Sequence, residues 1–286
     1  MTQTPAPYRR ALAGRDRLRN RFEKSCEQLK HCGRGSALRS FRAILSRGRA
    51  AINMPIPKLV RFLEEGGYLN IYELVARETG LTGEDLDNAV EARLRDLGPL
   101  RRRIDRLFHF HPDTHYAALN LGGAGALRYG RCCVVFDLRH WAPFHTCYAG
   151  DSIRSCFLAD GRPAFPEEEV LARFGIGEDL DRIATVHWEA SLAEPTQDPC
   201  FQPGEVRAIV EAEDSILEIH LHGPVTRDRV QEVLMLRNDY RHLRDLVQRA
   251  KGHSSPLPWE FDEVEPFHQM LELLESFEIP LVLAEG

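Results

Sequence analysis

Ile216-Leu217-Glu218-Ile219-His220-Leu221-His222, closed by Gly223-Pro224, reads as a β-strand. Side chains alternate across a strand with period two. Leu217, Ile219 and Leu221 therefore share one face, suited to a core, and Glu218, His220 and His222 share the other. A carboxylate with two imidazoles on its own face is costly to bury without partners. Two readings follow. One is a half-solvated strand with a polar outer face. The other is a cleft, in which Glu218 is a base or electrostatic stabiliser and the histidines bind, donate or ligate.

Around this strand the texture is mixed. Residues 8–31 read as a basic helix broken near Gly33-Arg34-Gly35, and Ser36–Ser46 as a second. Ile56, Leu59, Val60 and Leu63 follow an amphipathic helical stripe that Gly66-Gly67 stops. Thr82, with Asp85 three residues on, reads as the cap of a helix running to about Leu97. Arg101-Arg102-Arg103 reads as a solvated helix face, with a phosphate contact as the alternative. From about Phe108 the expected strands are His115–Leu121, Cys132–Phe136, His145–Tyr148, Ile183–Trp188, Val206–Val210 and Ile216–His222. Helices return at Thr226–Lys251 and from about Glu263 to Phe277. Helices, then strands, then helices predict an α+β fold with a mainly antiparallel sheet.

With 286 residues and 43% hydrophobic content, the chain suffices for one large domain or a domain plus a subdomain. No apolar run is long enough for a membrane span, and Met1–Arg10 has no signal-like apolar stretch, so a cytoplasmic protein is expected. The seven cysteines include no CxxC pair, which argues against a zinc ribbon or a disulfide framework. Charge is uneven. Residues 1–50 carry thirteen basic and three acidic side chains, whereas 51–286 carry 24 basic and 40 acidic. This predicts a basic helical extension, 1–50, on an acidic α+β body, 51–286. The extension either folds back through Leu12, Leu18, Phe22, Leu29, Leu38, Phe41 and Leu45, or meets nucleic acid or an acidic, neutralising partner.

Three further stretches can carry chemistry. Tyr116-Ala117-Ala118-Leu119-Asn120-Leu121 feeds a glycine-rich loop ending in Arg128-Tyr129-Gly130. Glycines let backbone approach a ligand closely, and an arginine binds phosphate. The loop lacks both GxGxxG and GK[ST] order. Tyr148-Ala149-Gly150-Asp151-Ser152 runs from a strand into a turn. His109-Phe110-His111 and His220-Leu221-His222 are His-x-His pairs with metal-ligand spacing. The second pair is better explained as a polar face beside Glu218, so no bound metal is expected, and a His-x-His metal hydrolase is the third-ranked reading.

In order, these motifs resemble those of a family of uncharacterised bacterial proteins, whose pattern runs roughly YGALN, RFG, TFxxGDS and VEAQxHG. The stretch Phe62-Leu63-Glu64-Glu65-Gly66-Gly67-Tyr68 is similar to the segment preceding these motifs. The layout also resembles mono-ADP-ribosyltransferases, which bind NAD on a split antiparallel sheet. That resemblance implies an NAD-dependent toxin, effector or defence protein, acting in the cytoplasm or delivered into a target cell, that modifies a macromolecular acceptor. It makes Glu218 the catalytic glutamate, Ser152 the serine beside the nicotinamide ribose, and His220 the group orienting the acceptor in place of the usual Gln or Glu. Tyr116, Tyr129 or Tyr148 would stack the nicotinamide and Arg128 would take the pyrophosphate, with Asn120, Gly130 and Asp151 completing the NAD-facing set. Arg49, or a residue of the Tyr116 strand, is the candidate for the early-strand Arg or His. The competing reading is a non-catalytic nucleic-acid or protein binding module that uses the basic front.

Overall fold

The computed structural model describes residues 4–110, 112–141, 144–157, 164–194, 198–210, 216–251 and 258–285. Its strands are β1 (Arg49–Met54), β2 (Gly67–Tyr68), β3 (Thr114–Asn120), β4 (Cys132–Phe136), β5 (His145–Ala149), β6 (Phe174–Ile176), β7 (Leu217–His222), β8 (Val225–Thr226), β9 (Val230–Leu236) and β10 (Leu281–Ala284). With the surrounding helices they make an α+β protein whose strand pairing is mainly antiparallel. The chain divides into two compact units.

The first unit comprises Met1–Gly48, Leu69–Leu121 and Trp141–Pro224. Its strands run in the order β3-β7-β5-β6, antiparallel throughout. β7 is thus hydrogen-bonded on both sides, as its unbroken run of buried residues from Leu217 to Leu221 requires. One face of this sheet is covered by an aromatic cluster. Phe108 stacks on Phe174 at 4.4 Å, and Tyr8, Ala11, Ile104, Tyr148 and Cys156 complete the packing.

The basic front belongs to this unit. Gly14 breaks it into helices Ala6–Ala13 and Arg15–His31, followed by Gly35–Leu45. Leu18, Leu29, Leu38, Phe41 and Leu45 are buried, but Leu12 is exposed. Its arginines meet the unit's own carboxylates. Arg10 pairs with Glu167 at 3.0 Å, Arg15 with the buried Asp179 at 3.0 Å, and Arg42 Nε with Asp181 at 2.7 Å. The exposed pairs, Arg10–Glu167 and Arg42–Asp181, contribute at most about 1 kcal/mol each, so the buried leucines are the main anchor of the segment.

The second unit comprises Arg49–Tyr68, Gly122–His140 and Val225–Gly286. Its strands run β10-β9-β4-β1, with β10 parallel to β9, and β2 pairs with β8. Helix Ile56–Glu65 follows β1 and ends at Gly66, whose φ of 76° suits only glycine comfortably.

Three expected elements differ. Ile183–His187 lies in helix Leu180–His187, with Trp188 as its C-cap, and Leu180, Ile183 and Ala184 bury a helical stripe. Val206–Val210 lies in helix Pro203–Val210, with Val206 and Val210 buried one turn apart. Thr226 caps no helix there. Val230–Leu236 is a strand held between β4 and β10, and the helix begins only at Arg237. Short apolar runs fit either state, and the neighbouring strands chose. The helix after Thr82 spans Gly83–Leu94, and the Thr82 side chain makes no capping bond. Among the described residues, no helix is long and apolar enough to cross a membrane.

Candidate active site

The register of β7 decides which side chains meet. Tyr116 of β3 lies opposite His220, and Thr114 opposite His222. Thr146 of β5 lies opposite His220 and Tyr148 opposite Glu218. Residues paired across an antiparallel ladder project to the same face. Thr114, Tyr116, Thr146, Tyr148, Glu218, His220 and His222 therefore share one face. Leu217, Ile219 and Leu221 are fully buried on the other. The polar face is not an open surface: Glu218 is 6% exposed and His220 0%.

Burial without partners would be prohibitive. Gly150, at φ 106°, turns the chain out of β5 so that Ser152 opens a short helix, Ser152–Cys156. Its backbone N–H donates to Glu218 Oε1 at 3.0 Å. Glu218 Oε2 lies 3.2 Å from His220 Nε2. Burial pushes the Glu218 carboxyl up to about 8; the nearby Asp151 adds to the rise, while Ser152 and Arg101 restrain it. The Ser152 hydroxyl is buried without a hydrogen bond of ordinary geometry, and the bond of good geometry from Ser152 to the carboxyl is that of its backbone N–H. Burial and Arg101 push His220 down to about 3. The contact is a hydrogen bond between neutral acid and neutral imidazole, not an ion pair.

The chain of bonds continues. His220 Nδ1 lies 3.2 Å from Thr146 Oγ1, which lies 3.0 Å from His222 Nε2. His222 Nδ1 lies 3.3 Å from Thr114 Oγ1. With both rings neutral, one donor order satisfies every link, from Glu218 through His220, Thr146 and His222 to Thr114. Burial and the neighbouring His220, His145 and His115 push His222 down to about 3, and burial with Arg173 pushes His187 down to about 4.

These shifts set an acid limit. Folded His187, His220 and His222 stay neutral, whereas unfolded histidines take a proton near pH 6.5. Their stabilisation is present above pH 6.5 and is lost as pH falls toward 3–4. Each contributes a slope of about 1.4 kcal/mol per pH unit in that window. Glu218 acts oppositely, favouring the fold below its unfolded value and losing that contribution as pH rises through about 8. His222→Gln is expected to lower the proton slope between pH 6.5 and 4.5 by about one, read from urea unfolding at several pH values. An unchanged slope would mean that His222 titrates normally.

A second cluster adjoins this face. Arg101 Nε donates to both oxygens of Asp105 at 2.9 and 3.0 Å, and its guanidinium carbon sits 3.8 Å from the Tyr116 ring centroid. The hydroxyls of Tyr72 and Tyr116 donate to Asp105 at 2.7 and 3.2 Å. Burial opposes the Arg101 charge, but Tyr116 and Asp105 outweigh it and the guanidinium stays protonated. The three arginines thus part company. Arg101 is largely enclosed, with 12% of its side chain exposed, Arg102 binds Asn88 and Glu91, and Arg103 is exposed. The solvated-face reading holds for Arg103 and fails for Arg101.

The structure brings Glu218, Ser152, His220, Tyr116 and Asp151 together in the first unit. Asn120 ends β3, fully buried. Tyr148 is also fully buried. Its hydroxyl meets Cys156 Sγ at 3.1 Å and its ring packs on Phe108, so protein rather than nicotinamide occupies its faces. Arg128, Tyr129 and Gly130 belong to the second unit and line a cavity of about 500 Å³ with Pro55, Arg131 and Asp239. Arg49 opens β1 in that unit and pairs with Glu232 at 2.5 Å.

The glycine-rich loop has a structural explanation. Asn53 donates to Ala124 O at 2.8 Å and Gly130 O at 3.0 Å, and accepts from Ala126 N–H at 2.9 Å. A Cβ on Gly130 would lie 2.0 Å from the Met54 carbonyl carbon, at a φ of +147°. The close backbone approach is to β1, not to a phosphate. Gly130→Ala is expected to cost more than about 3 kcal/mol, since clash and strain add; a chemical denaturation midpoint near wild type would contradict this.

His109 ends helix Gly98–Phe108 at φ 58° and is exposed, while His111 lies outside the described residues. Among the described residues, no group of three or more His, Cys, Asp or Glu could hold a metal ion. Sequence patterning missed Arg101, Asp105 and Thr146. The i, i+4 spacing of Arg101 and Asp105 was a signal, hidden inside an arginine triplet. No family model, curated protein or solved structure matches the chain.

Proposed function

We propose that this chain is an NAD-dependent mono-ADP-ribosyltransferase acting on a macromolecular acceptor. One observation carries the reading: Glu218, held by the Ser152 N–H at 3.0 Å, lies on a sheet face that also bears Tyr116 and His220. Breaking the nicotinamide–ribose bond builds positive charge on the ribose, and a preorganised carboxylate stabilises it. Helix Ile56–Glu65 after β1, with Phe62-Leu63-Glu64-Glu65-Gly66, supports the resemblance to the transferases' early helix. His220, buried and neutral, is suited to orient rather than to carry charge.

The Glu218 carboxyl must lose its proton to act. With its value raised to about 8, NAD cleavage by the free enzyme rises with pH and levels off above about 8. The test is nicotinamide release from NAD, with and without cell lysate, across pH 6–9, together with transfer of label from NAD to protein or nucleic acid. Absence of turnover with every acceptor and at every pH overturns the proposal.

A further inference from the structure

We propose that a small cavity in the first unit, bordered by Arg21, Arg173 and His187, binds a phosphate group, carried either by free phosphate or by the terminal phosphoryl of a larger molecule. The cavity measures about 160 Å³, roughly the space of five waters, so it takes one oxyanion and not a nucleotide. Ala149 lines it and lies opposite Leu217 in the sheet, whereas Tyr148 lies opposite Glu218. A Cβ on Gly175, which pairs with Cys147 on the Leu217 side, would lie 2.6 Å from Ile183 Cδ1, so helix Leu180–His187 covers that side. The cavity is therefore across the sheet from Glu218, and the inference does not rest on the transferase reading.

Charge points to an anion. Among the described residues that line the cavity, none is a carboxylate. Neither the Arg21 nor the Arg173 guanidinium makes an ion pair or a side-chain hydrogen bond among the described residues. Arg173 does have a ring contact, its guanidinium carbon lying 4.3 Å from the Phe165 centroid. Stacking uses the flat face of a guanidinium and leaves its N–H edge, the edge that binds an oxyanion. Carboxylates of adjoining helices are engaged elsewhere: Asp181 by Arg42, Glu168 by Arg17, and Glu189 by the Ser25 hydroxyl. An arginine cannot shed its proton, so two positive charges border a cavity whose walls hold no negative one. The C-terminal end of helix Leu180–His187 supplies about −0.5 of a charge, which offsets only a quarter of them.

The third side chain selects for phosphate. Burial, and then the charge of Arg173, push the His187 imidazole down to about 4, so the ring is neutral at pH 7 and keeps one N–H to donate. The Trp188 ring packs edge-on against it at 4.8 Å. The Ala149 N–H donates to the Arg173 carbonyl at 3.0 Å, which ties the backbone of Arg173 to β5. A phosphate group carries about −1.5 to −2 at pH 7 and at least three acceptor oxygens, enough for two guanidiniums and one imidazole. A carboxylate offers one charge and two oxygens, and leaves one of the three donors without an acceptor.

Calorimetric titration of the full chain with inorganic phosphate, phosphoserine and acetate, at fixed ionic strength, tests this. Phosphate is expected to bind at least about tenfold more tightly than acetate, a difference of about 1.4 kcal/mol. Binding of phosphoserine as well as phosphate identifies a phosphoryl group on a larger molecule, and binding of phosphate alone identifies the free ion; either supports the site. R21Q and R173Q should each weaken phosphate at least about tenfold. Arg21 is exposed, so R21Q should keep the fold, checked by circular dichroism. The His187 ring resonances, assigned by their loss in H187Q, should shift as phosphate is added. The proposal is overturned if neither phosphate nor phosphoserine binds, if acetate binds as tightly as phosphate, if either arginine variant binds phosphate like wild type, or if the His187 resonances stay in place at saturation.

Discussion

Glu218→Gln is expected to lower nicotinamide release ~10²–10³-fold, roughly 3–4 kcal/mol of transition-state stabilisation, while leaving the thermal midpoint near that of wild type. The two halves of this expectation have separate causes. In the resting protein Glu218 is a neutral acid, accepting from Ser152 N–H and donating to His220 Nε2. Glutamine repeats that shape and both bonds, so the fold loses little. It cannot become an anion, so it cannot meet the charge that grows on the ribose. Glu218→Ala separates the two effects from the other side. It strands the Ser152 N–H and His220 Nε2 in the interior, at about 1–3 kcal/mol each, and should lose stability as well as turnover. Ser152→Ala keeps the backbone donor and should reduce turnover far less than Glu218→Gln. Full turnover by Glu218→Gln would end the transferase reading.

Arg101→Met should destabilise the chain by about 3 kcal/mol, because it leaves Asp105, only 12% exposed, as a largely enclosed carboxylate without its cation. Asp105 accepts from Tyr72 and Tyr116 as well, but two neutral hydroxyls do not replace a cationic donor whose Nε is shared between both carboxylate oxygens. The double variant R101M/D105L should recover much of the loss, since replacing both members of a buried pair by apolar groups is often close to neutral. Urea midpoints of the three proteins decide the matter; a loss below about 1 kcal/mol in Arg101→Met would mean the pair behaves as a screened surface pair. A second readout ties Arg101 to the site. Its charge restrains the rise of the Glu218 carboxyl, so its removal should move the alkaline rise in turnover above pH 8.

The period-two alternation of residues 216–222 determined by itself that Leu217, Ile219 and Leu221 oppose Glu218, His220 and His222, since side-chain direction in a strand is a local property. Gly66 as a helix stop, the helical stripe from Ile56 to Leu63, the strand Cys132–Phe136 and the α+β class were equally legible, each resting on near neighbours in the chain. The state of Ile183–Trp188, Val206–Val210 and Val230–Leu236 was not, because apolar residues a few positions apart satisfy a helix or a strand until a partner element supplies hydrogen bonds. β1, β6 and β10 escaped for the same reason. At the site, local pattern offered Glu218, His220, Tyr116 and Ser152 as separate candidates. Only strand pairing put Tyr116 on the face that Glu218 and His220 share, only the turn at Gly150 brought the Ser152 N–H to it, and only the covering layer made that face an interior. Burial is a property of what packs above a residue, not of its neighbours in sequence. The neutral Glu218–His220 pair, the Thr146 link and the Arg101–Asp105 cluster exist because that interior had to satisfy its polar groups from distant parts of the chain.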